Sequence, residues 1–270
     1  MSGLGQGWAV ELAAMKDFSS TPMPAISRAV LHDGVRPAWS ADVVAWLLGS
    51  PLPGRRLDVL DLGAGTGLGT RTIASLGHNV TAVDISEEML SVLRATSANL
   101  PPGTAARISA AQGPAEKIPL GSRSVDAVVC FQAWHWVDPG LAVLECSRVL
   151  KQNGMVGLAW HTWDRGSEWV QALAAIVEPD GPPFDQTRSV PGEFDGRGSF
   201  ERRDFPFHLE LSIDQLVGLA TSWAFVSQRP DRREVLAQIR RLGEQAASAE
   251  TGRVTFPHIT AAFRLQRQGA

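Results

Sequence analysis

The 270-residue sequence contains no tyrosine and only two cysteines, Cys130 and Cys146. Two thiols cannot form a disulfide framework, and both fall in apolar or helical surroundings, as expected of buried thiols in a reducing compartment. No cysteine or histidine spacing suits zinc, so no metal is expected. Positive charge is not in excess: 25 basic residues face 28 acidic ones, for a net charge of −3, with no basic run. A protein that depends on many phosphate contacts shows a basic face, so nucleic acid is not an expected partner. No apolar run reaches the length of a membrane span, and residues 1–20 lack a basic segment followed by a long apolar one. Neither membrane association nor secretion is expected, and a cytoplasmic location follows as the working expectation.

Apolar residues make up 44% of the chain, enough for a sizeable core. Nine tryptophans stand against the missing tyrosine, and Trp134, Trp136, Trp160 and Trp163 follow closely on two predicted strands.

From Arg55 to Trp160 short apolar runs alternate with helix-like segments. Strands are predicted over Leu57–Leu62, Asn79–Asp84, Ala106–Ala111, Val125–Phe131 and Met155–Trp160. The Val125–Phe131 run is almost continuously apolar, as a central parallel strand covered on both faces requires. Ser86 is a predicted N-cap, with Glu87 and Glu88 where the helix dipole favours acids. Strands and helices alternating at this spacing predict a doubly wound parallel sheet. Beyond it, Glu178–Ser199 reads as a long loop. Phe205–Leu211 alternates like a strand, and Ser212 with Gln215 forms a capping box opening a helix. A second helix is predicted over Asp231–Ala247 and a last strand over Val254–Leu265. The whole chain, 1–270, reads as one domain: 1–54 a helical N-terminal cover, 55–165 the core, and 166–270 the remaining strands with a helical insertion.

The segment that carries chemistry is Val59-Leu60-Asp61-Leu62-Gly63-Ala64-Gly65-Thr66-Gly67. Glycines between a strand and a helix permit a tight turn and a close approach of backbone to a ligand. The spacing is G-x-G-x-G, and Leu68 stands where a dinucleotide fingerprint needs its third glycine. Asp61 ends the strand; an anion there suits an ammonium-bearing ligand and repels a pyrophosphate. Asp84 ends the next strand, where an acid accepts hydrogen bonds from ribose hydroxyls. Taken singly, Asp61 also reads as a turn former and Asp84 as a helix cap.

Val59–Gly67 resembles the glycine motif of class I S-adenosylmethionine-dependent methyltransferases, and Val80–Leu90 is similar to their second motif. Gly113–Leu120 resembles the adenine-side segment, Ser124–Asp138 the fourth strand, and Glu145–Gly154 the helix and turn before the fifth. Arg36-Pro37 and Ser222-Trp223 resemble, more loosely, the small-molecule branch that includes trans-aconitate-type enzymes. The family's Lys-Pro-Gly-Gly turn is Lys151-Gln152-Asn153-Gly154 here, and the tyrosine that normally precedes its Arg-Pro is missing. The resemblance implies a Rossmann-like, seven-stranded, mostly parallel sheet with an antiparallel last strand and inserted C-terminal helices. It also implies S-adenosylmethionine as cofactor and S-adenosylhomocysteine as product. Gly63, Ala64, Gly65 and Gly67 would line the methionine moiety, with Asp61 near its amino group and Gln132 beside it. Asp84 would hold the ribose, Ile85 would pack on the adenine, and Ala115 and Glu116 would meet its edge.

Ligands of open α/β sheets lie outside the carboxyl ends of the strands. Trp134, Trp136, Trp160, His161 and Trp163 are therefore expected around the methyl acceptor, either as an aromatic pocket or as packing. His135 is the candidate general base, or else a residue that orders its loop by hydrogen bonding. The expected reaction is in-line methyl transfer to a carboxylate, hydroxyl or phenol oxygen of a small molecule. The alternatives are other chemistry on the same cofactor and, more remotely, a dinucleotide-dependent oxidoreductase.

Overall fold

The computed structural model describes residues 33–34, 36–49, 54–178, 186–192 and 194–265. The segment read for a secretory leader and most of the 1–54 cover lie outside the described residues. Seven strands form one sheet in the order β3-β2-β1-β4-β5-β7-β6. They are β1 (Asp58–Leu62), β2 (Asn79–Asp84), β3 (Ile108–Gln112), β4 (Val125–Phe131), β5 (Leu150–Trp163), β6 (Phe200–Leu211) and β7 (Val254–Leu265). β1 to β5 run parallel; β7 inserts antiparallel between β5 and β6. This is the predicted Rossmann-like sheet with its antiparallel last strand.

Helices α1 (Ala41–Leu47), α2 (Leu68–Ser75), α3 (Glu87–Ser97), α4 (Pro102–Ala105) and α5 (Pro139–Val149) accompany the parallel half. α3 starts where its sequence says: the Ser86 hydroxyl accepts from the Met89 amide, with Glu87 and Glu88 in the first turn. In the C-terminal third come α6 (Glu168–Val177), α7 (Ile213–Thr221), α8 (Ala224–Ser227) and α9 (Arg232–Ala246). α7 opens with the expected reciprocal capping box of Ser212 and Gln215. Part of the 178–199 loop is described: Gln186–Ser189 is a single 3-10 turn, and Phe194 beyond it is fully buried.

Strand alternation splits the core between the two faces of the sheet. Leu60, Leu62, Val128, Cys130, Val156, Leu158 and Trp160 face Ala142, Cys146 and Val149 of α5. Val59, Ala127, Val129, Phe131 and Ala159 face α1 and α2 on the other side, through Val43, Leu47, Ile73 and Ala74. A third cluster joins α6, α7 and α9 to Val254 and Phe256 of β7.

The expected fifth strand, Met155–Trp160, is the middle of a longer one. β5 begins at Leu150 and continues to Trp163, because β7 pairs with it as far as Trp163↔His258. That antiparallel partner carries β5 past the end of β4 and raises a wall beside the strand ends. Among the described residues no helix is long and apolar enough to cross a membrane.

Candidate active site

A cleft of about 310 Å³ opens at the carboxyl ends of the parallel strands. One end is made by the loop between β1 and α2. Gly63, Gly65 and Gly67 have φ of 70°, 55° and 85°, a region L side chains rarely adopt. A Cβ on Gly63 would lie 2.5 Å from the Ala133 Cβ, so only glycine lets this loop pass the end of β4. A Cβ on Gly65 would meet nothing within 4 Å, leaving room beside its backbone for a ligand.

Asp61 lies behind the loop, 1% exposed. Its Oδ2 accepts from the Thr70 hydroxyl at 2.6 Å, whereas Oδ1 is buried without a partner. A buried carboxylate oxygen without a donor is costly unless a ligand supplies one. Burial, above all, pushes the Asp61 pKa up to about 7; the Thr70 hydrogen bond opposes this and the nearby Asp84 charge adds to it. A cationic group against Oδ1 would reverse that shift.

Asp84 ties two segments together. Its Oδ2 accepts from the Gly65 amide and its Oδ1 from the Ser86 amide, both at 2.8 Å. Each oxygen keeps a second lone pair, and the residue lines the cleft. The reading of Asp84 as a local tie and the reading as a ribose acceptor are therefore both compatible with its position.

At the end of β4, Gln132 holds a left-handed backbone, φ 56°, rare for a residue other than glycine. Its side-chain oxygen accepts from the His161 amide at 2.9 Å, which fixes the side chain along the cleft wall. The 3-10 turn Trp134–Trp136 follows. Trp134 turns inward and is 1% exposed, with Phe194 beside it; Trp136 is 80% exposed at the lip of the cleft.

His135 does not line the cleft. Its Nδ1 accepts from the Trp160 indole N–H at 3.2 Å, so the neutral ring carries its proton on Nε2. Burial lowers its pKa and favours that neutral form.

Alternation along β5 sorts the remaining aromatic candidates. Trp160, fully buried, points to the α5 side of the sheet and packs against Phe263. His161 and Trp163 point to the opposite side and line the cleft. The expectation that all these tryptophans surround an acceptor therefore divides: Trp136 and Trp163 face the cleft, while Trp134 and Trp160 are core. The physical reason is the two-residue period of a strand for Trp160 and the inward turn of the 3-10 segment for Trp134.

Of the cofactor-side candidates, Gly63, Ala64, Gly65, Asp84 and Gln132 line the cleft. Ile85, 70% exposed, follows Asp84 and is not part of the cleft lining. Ala115 is buried against the α5-side core, and Glu116 accepts from the Asp138 amide that opens α5.

The far end of the cleft adds Trp39 and His258, which sequence reading did not single out, and Arg36 and Trp223, which it named only through the loose resemblance of Arg36-Pro37 and Ser222-Trp223. Trp39, just before α1, stacks on His161 with ring centroids 3.8 Å apart. Arg36 donates to the Ser222 carbonyl at 3.2 Å, joining the N-terminal segment to the end of α7. Trp223 packs on Trp163, and His258 of β7 completes the wall. The His258 Nδ1 lies 2.9 Å from the Phe256 carbonyl, which can only accept. Nδ1 therefore donates, and the neutral ring presents Nε2 as an acceptor. Burial lowers the pKa of His258 and pulls that of His161 down to about 3, so both rings are neutral at pH 7. Trp39 had a signal only in the apolar pattern around it, and Trp223 only in the loose Ser222-Trp223 resemblance; His258 had none, because its role depends on β7 lying next to β5.

A seven-stranded sheet with an antiparallel seventh strand, a glycine-rich first turn and acids ending the first two strands defines the class I S-adenosylmethionine-dependent methyltransferases. Comparison with known proteins agrees: the chain belongs to the methyltransferase family. The methyltransferase-domain family matches residues 60–158. An uncharacterized methyltransferase of Mycobacterium tuberculosis is 38% identical over 232 residues, covering 85% of this chain and 89% of the relative. Another protein of that organism, described as an S-adenosylmethionine-dependent methyltransferase, is 35% identical over 63% of this chain and 48% of its own length. A solved structure from Anaeromyxobacter dehalogenans, assigned as a type II methyltransferase, shares the fold with a TM-score of 0.66 at 23% identity, over 86% of this chain and 97% of that one. The protein is thus an S-adenosylmethionine-dependent methyltransferase. The orphaned Asp61 oxygen and the open space at Gly65 fit that cofactor.

Proposed function

We propose that this methyltransferase acts on an oxygen of a small-molecule acceptor bound between Trp39, Trp163 and Trp223. The observation that carries the reading is the continuity of one cleft from the glycine loop and Asp84 to that aromatic end. The cofactor supplies an electrophilic methyl group on a sulfonium. Asp61 Oδ1 takes the amino group of its methionine part, Gly63, Ala64 and Gly65 let the backbone come close, and Asp84 accepts from the ribose hydroxyls. Gln132, held by the His161 amide, forms the wall between the two ends. Ile85, exposed just after Asp84, is assigned to the adenine, and Trp136 to the lip of the cleft.

Methyl transfer needs the acceptor oxygen close to the methyl carbon and in line with the departing sulfur, and rigid walls achieve most of that. Carboxylates need no base; phenols and alcohols do. Where a proton must leave, the Nε2 of His258 is the group in the right form to take it, whereas His135 is committed to Trp160. Residues 1–270 then act as one catalytic unit, with the C-terminal third supplying the acceptor wall.

The test is incubation with S-adenosylmethionine and a panel of small carboxylic acids, phenols and alcohols, followed by mass spectrometry. S-adenosylhomocysteine together with an acceptor heavier by one methylene supports the reading. Another cofactor product, such as a transferred aminopropyl group, would overturn it.

A further inference from the structure

Deepening the reading just given, we propose that the acceptor end of the cleft is a carboxylate-binding site: Arg36 holds the carboxylate, and Trp39, Trp163 and Trp223 enclose an apolar or aromatic body. The class of ligand is a small aryl or alkyl monocarboxylate. Three observations carry this.

Arg36 is a permanent cation set half-buried into the cleft wall. One nitrogen donates to the Ser222 carbonyl, and Nε is buried with no partner among the described residues. No acidic side chain contributes to its pKa, which burial alone lowers. A partly desolvated guanidinium with no counter-ion among the described residues is unfavourable, and a planar carboxylate from a ligand is the group whose geometry it matches.

The charge around it has one sign. Among the described residues that line the cleft the one carboxylate is Asp84, at the opposite end beside Gly65. His161 and His258 are neutral near pH 7. Aromatic walls alone would also suit an ammonium, but a cation beside Arg36 with no nearby acid would be repelled. The site therefore selects against amines.

The polar groups beside Arg36 are few. The Nε2 of His161 is sealed from solvent without a partner among the described residues, and the indoles of Trp39 and Trp223 line the same cleft. A body with many hydroxyls would find little to bond to here. An apolar one would stack.

A carboxylate could reach Arg36 from two sources, the acceptor or the methionine end of the cofactor, and the experiment separates them. Protein saturated with S-adenosylhomocysteine is titrated with 3-phenylpropanoate, 3-phenylpropanamide and 3-phenylpropylammonium, read by tryptophan fluorescence and calorimetry. The expected result is binding of the carboxylate about 10- to 100-fold tighter than the amide, with the ammonium weakest. Arg36→Met should abolish that preference, and Arg36→Lys should keep part of it. Affinity for S-adenosylhomocysteine should stay within about twofold in both, since no contact to the cofactor is assigned to Arg36. Equal or tighter binding of the amide or ammonium, or no binding of any of the three, overturns the proposal. So does an Arg36→Met protein that loses cofactor affinity about tenfold or more, which assigns Arg36 to the cofactor's own carboxylate. If Arg36→Met does not fold, the wild-type preference and Arg36→Lys decide. Failure of the wild type to bind S-adenosylhomocysteine at all would instead strike the reading of the cofactor end.

Discussion

At the cofactor end of the cleft, the groups come from two short stretches, Asp61 to Thr70 and Asp84 to Ser86, and backbone amides are among the bonded atoms. At the acceptor end they come from Arg36, His161, Trp223 and His258, spread over most of the chain and brought together by α1, β5, α7 and β7. The first is a local device that any correct strand-turn-helix reproduces. The second exists only once β7 has inserted beside β5 and the N-terminal segment has docked on α7. A local site tolerates change elsewhere in the chain, whereas an assembled one changes with every element that supports it. That contrast explains how a common cofactor end can be combined with different acceptor ends.

The largest effect should come from Asp61→Asn, which attacks the local device. Asparagine keeps the shape and a bond to Thr70 but removes the charge opposite the cofactor's amino group. Breaking one side of a buried ion pair costs about 3–5 kcal/mol, so affinity for S-adenosylhomocysteine should fall by roughly 10²–10⁴-fold. Calorimetry checks this; a change under about tenfold would remove Asp61 from the cofactor site.

Asp84→Ala should do two things at once, because Asp84 accepts from Gly65 and Ser86 as well as facing the cleft. Loss of a charged acceptor costs about 1.5–3 kcal/mol, or roughly 10- to 100-fold in cofactor affinity. The loop also loses its tie to β2, which should lower Tm by about 2–6 °C. A lower Tm with unchanged affinity would make Asp84 a local tie only.

The third effect is graded by pH. Asp61 is held neutral by burial up to about pH 7 in the free protein. The cofactor's ammonium favours the ionised form, so below pH 7 a proton must leave before binding. Affinity should therefore rise with pH and level off above about 7, falling by up to about tenfold per unit below it. Calorimetry in buffers of different ionisation enthalpy would detect the released proton. His161 and His258 act on stability with their own sign. Their folded pKa values lie below the unfolded one, so the stability they contribute is present above about pH 6.5 and is lost as pH falls.

Legibility in the sequence follows the same contrast. β2, β4 and β7 have the predicted bounds, because an apolar strand between turn residues is a local signal. The G-x-G-x-G loop and its two acids were readable for the same reason. Beyond β4, reading along the chain loses the information it needs. The face that Trp160 or His161 presents depends on register, and His258 matters only because it pairs opposite Trp163. Arg36 was visible as an Arg-Pro pair, but its place in the cleft wall, with no acid beside it among the described residues, was not. Four tryptophans after two strands looked like one cluster; strand alternation and a 3-10 turn send two of them into the core.

The smallest effect is expected at His135, which lies beside both ends of the cleft in sequence and belongs to neither in space. A general base must offer a free lone pair toward the acceptor. The Nδ1 lone pair of His135 is occupied by the Trp160 indole N–H, and the ring does not line the cleft. His135→Gln leaves an amide oxygen that can accept from Trp160, so the cost to stability should be about 1 kcal/mol or less. Affinity for S-adenosylhomocysteine should stay within about twofold. Turnover with any acceptor the protein methylates should fall less than about tenfold, with the shape of the pH profile retained. A base would behave otherwise: its loss typically costs about 10²–10⁴-fold and removes the limb of the profile that reports its titration. His258→Gln provides the contrast on the opposite wall. With a phenol or alcohol as acceptor it should lose that limb while His135→Gln keeps it; the reverse outcome would return the proton to His135 and move the acceptor away from β7.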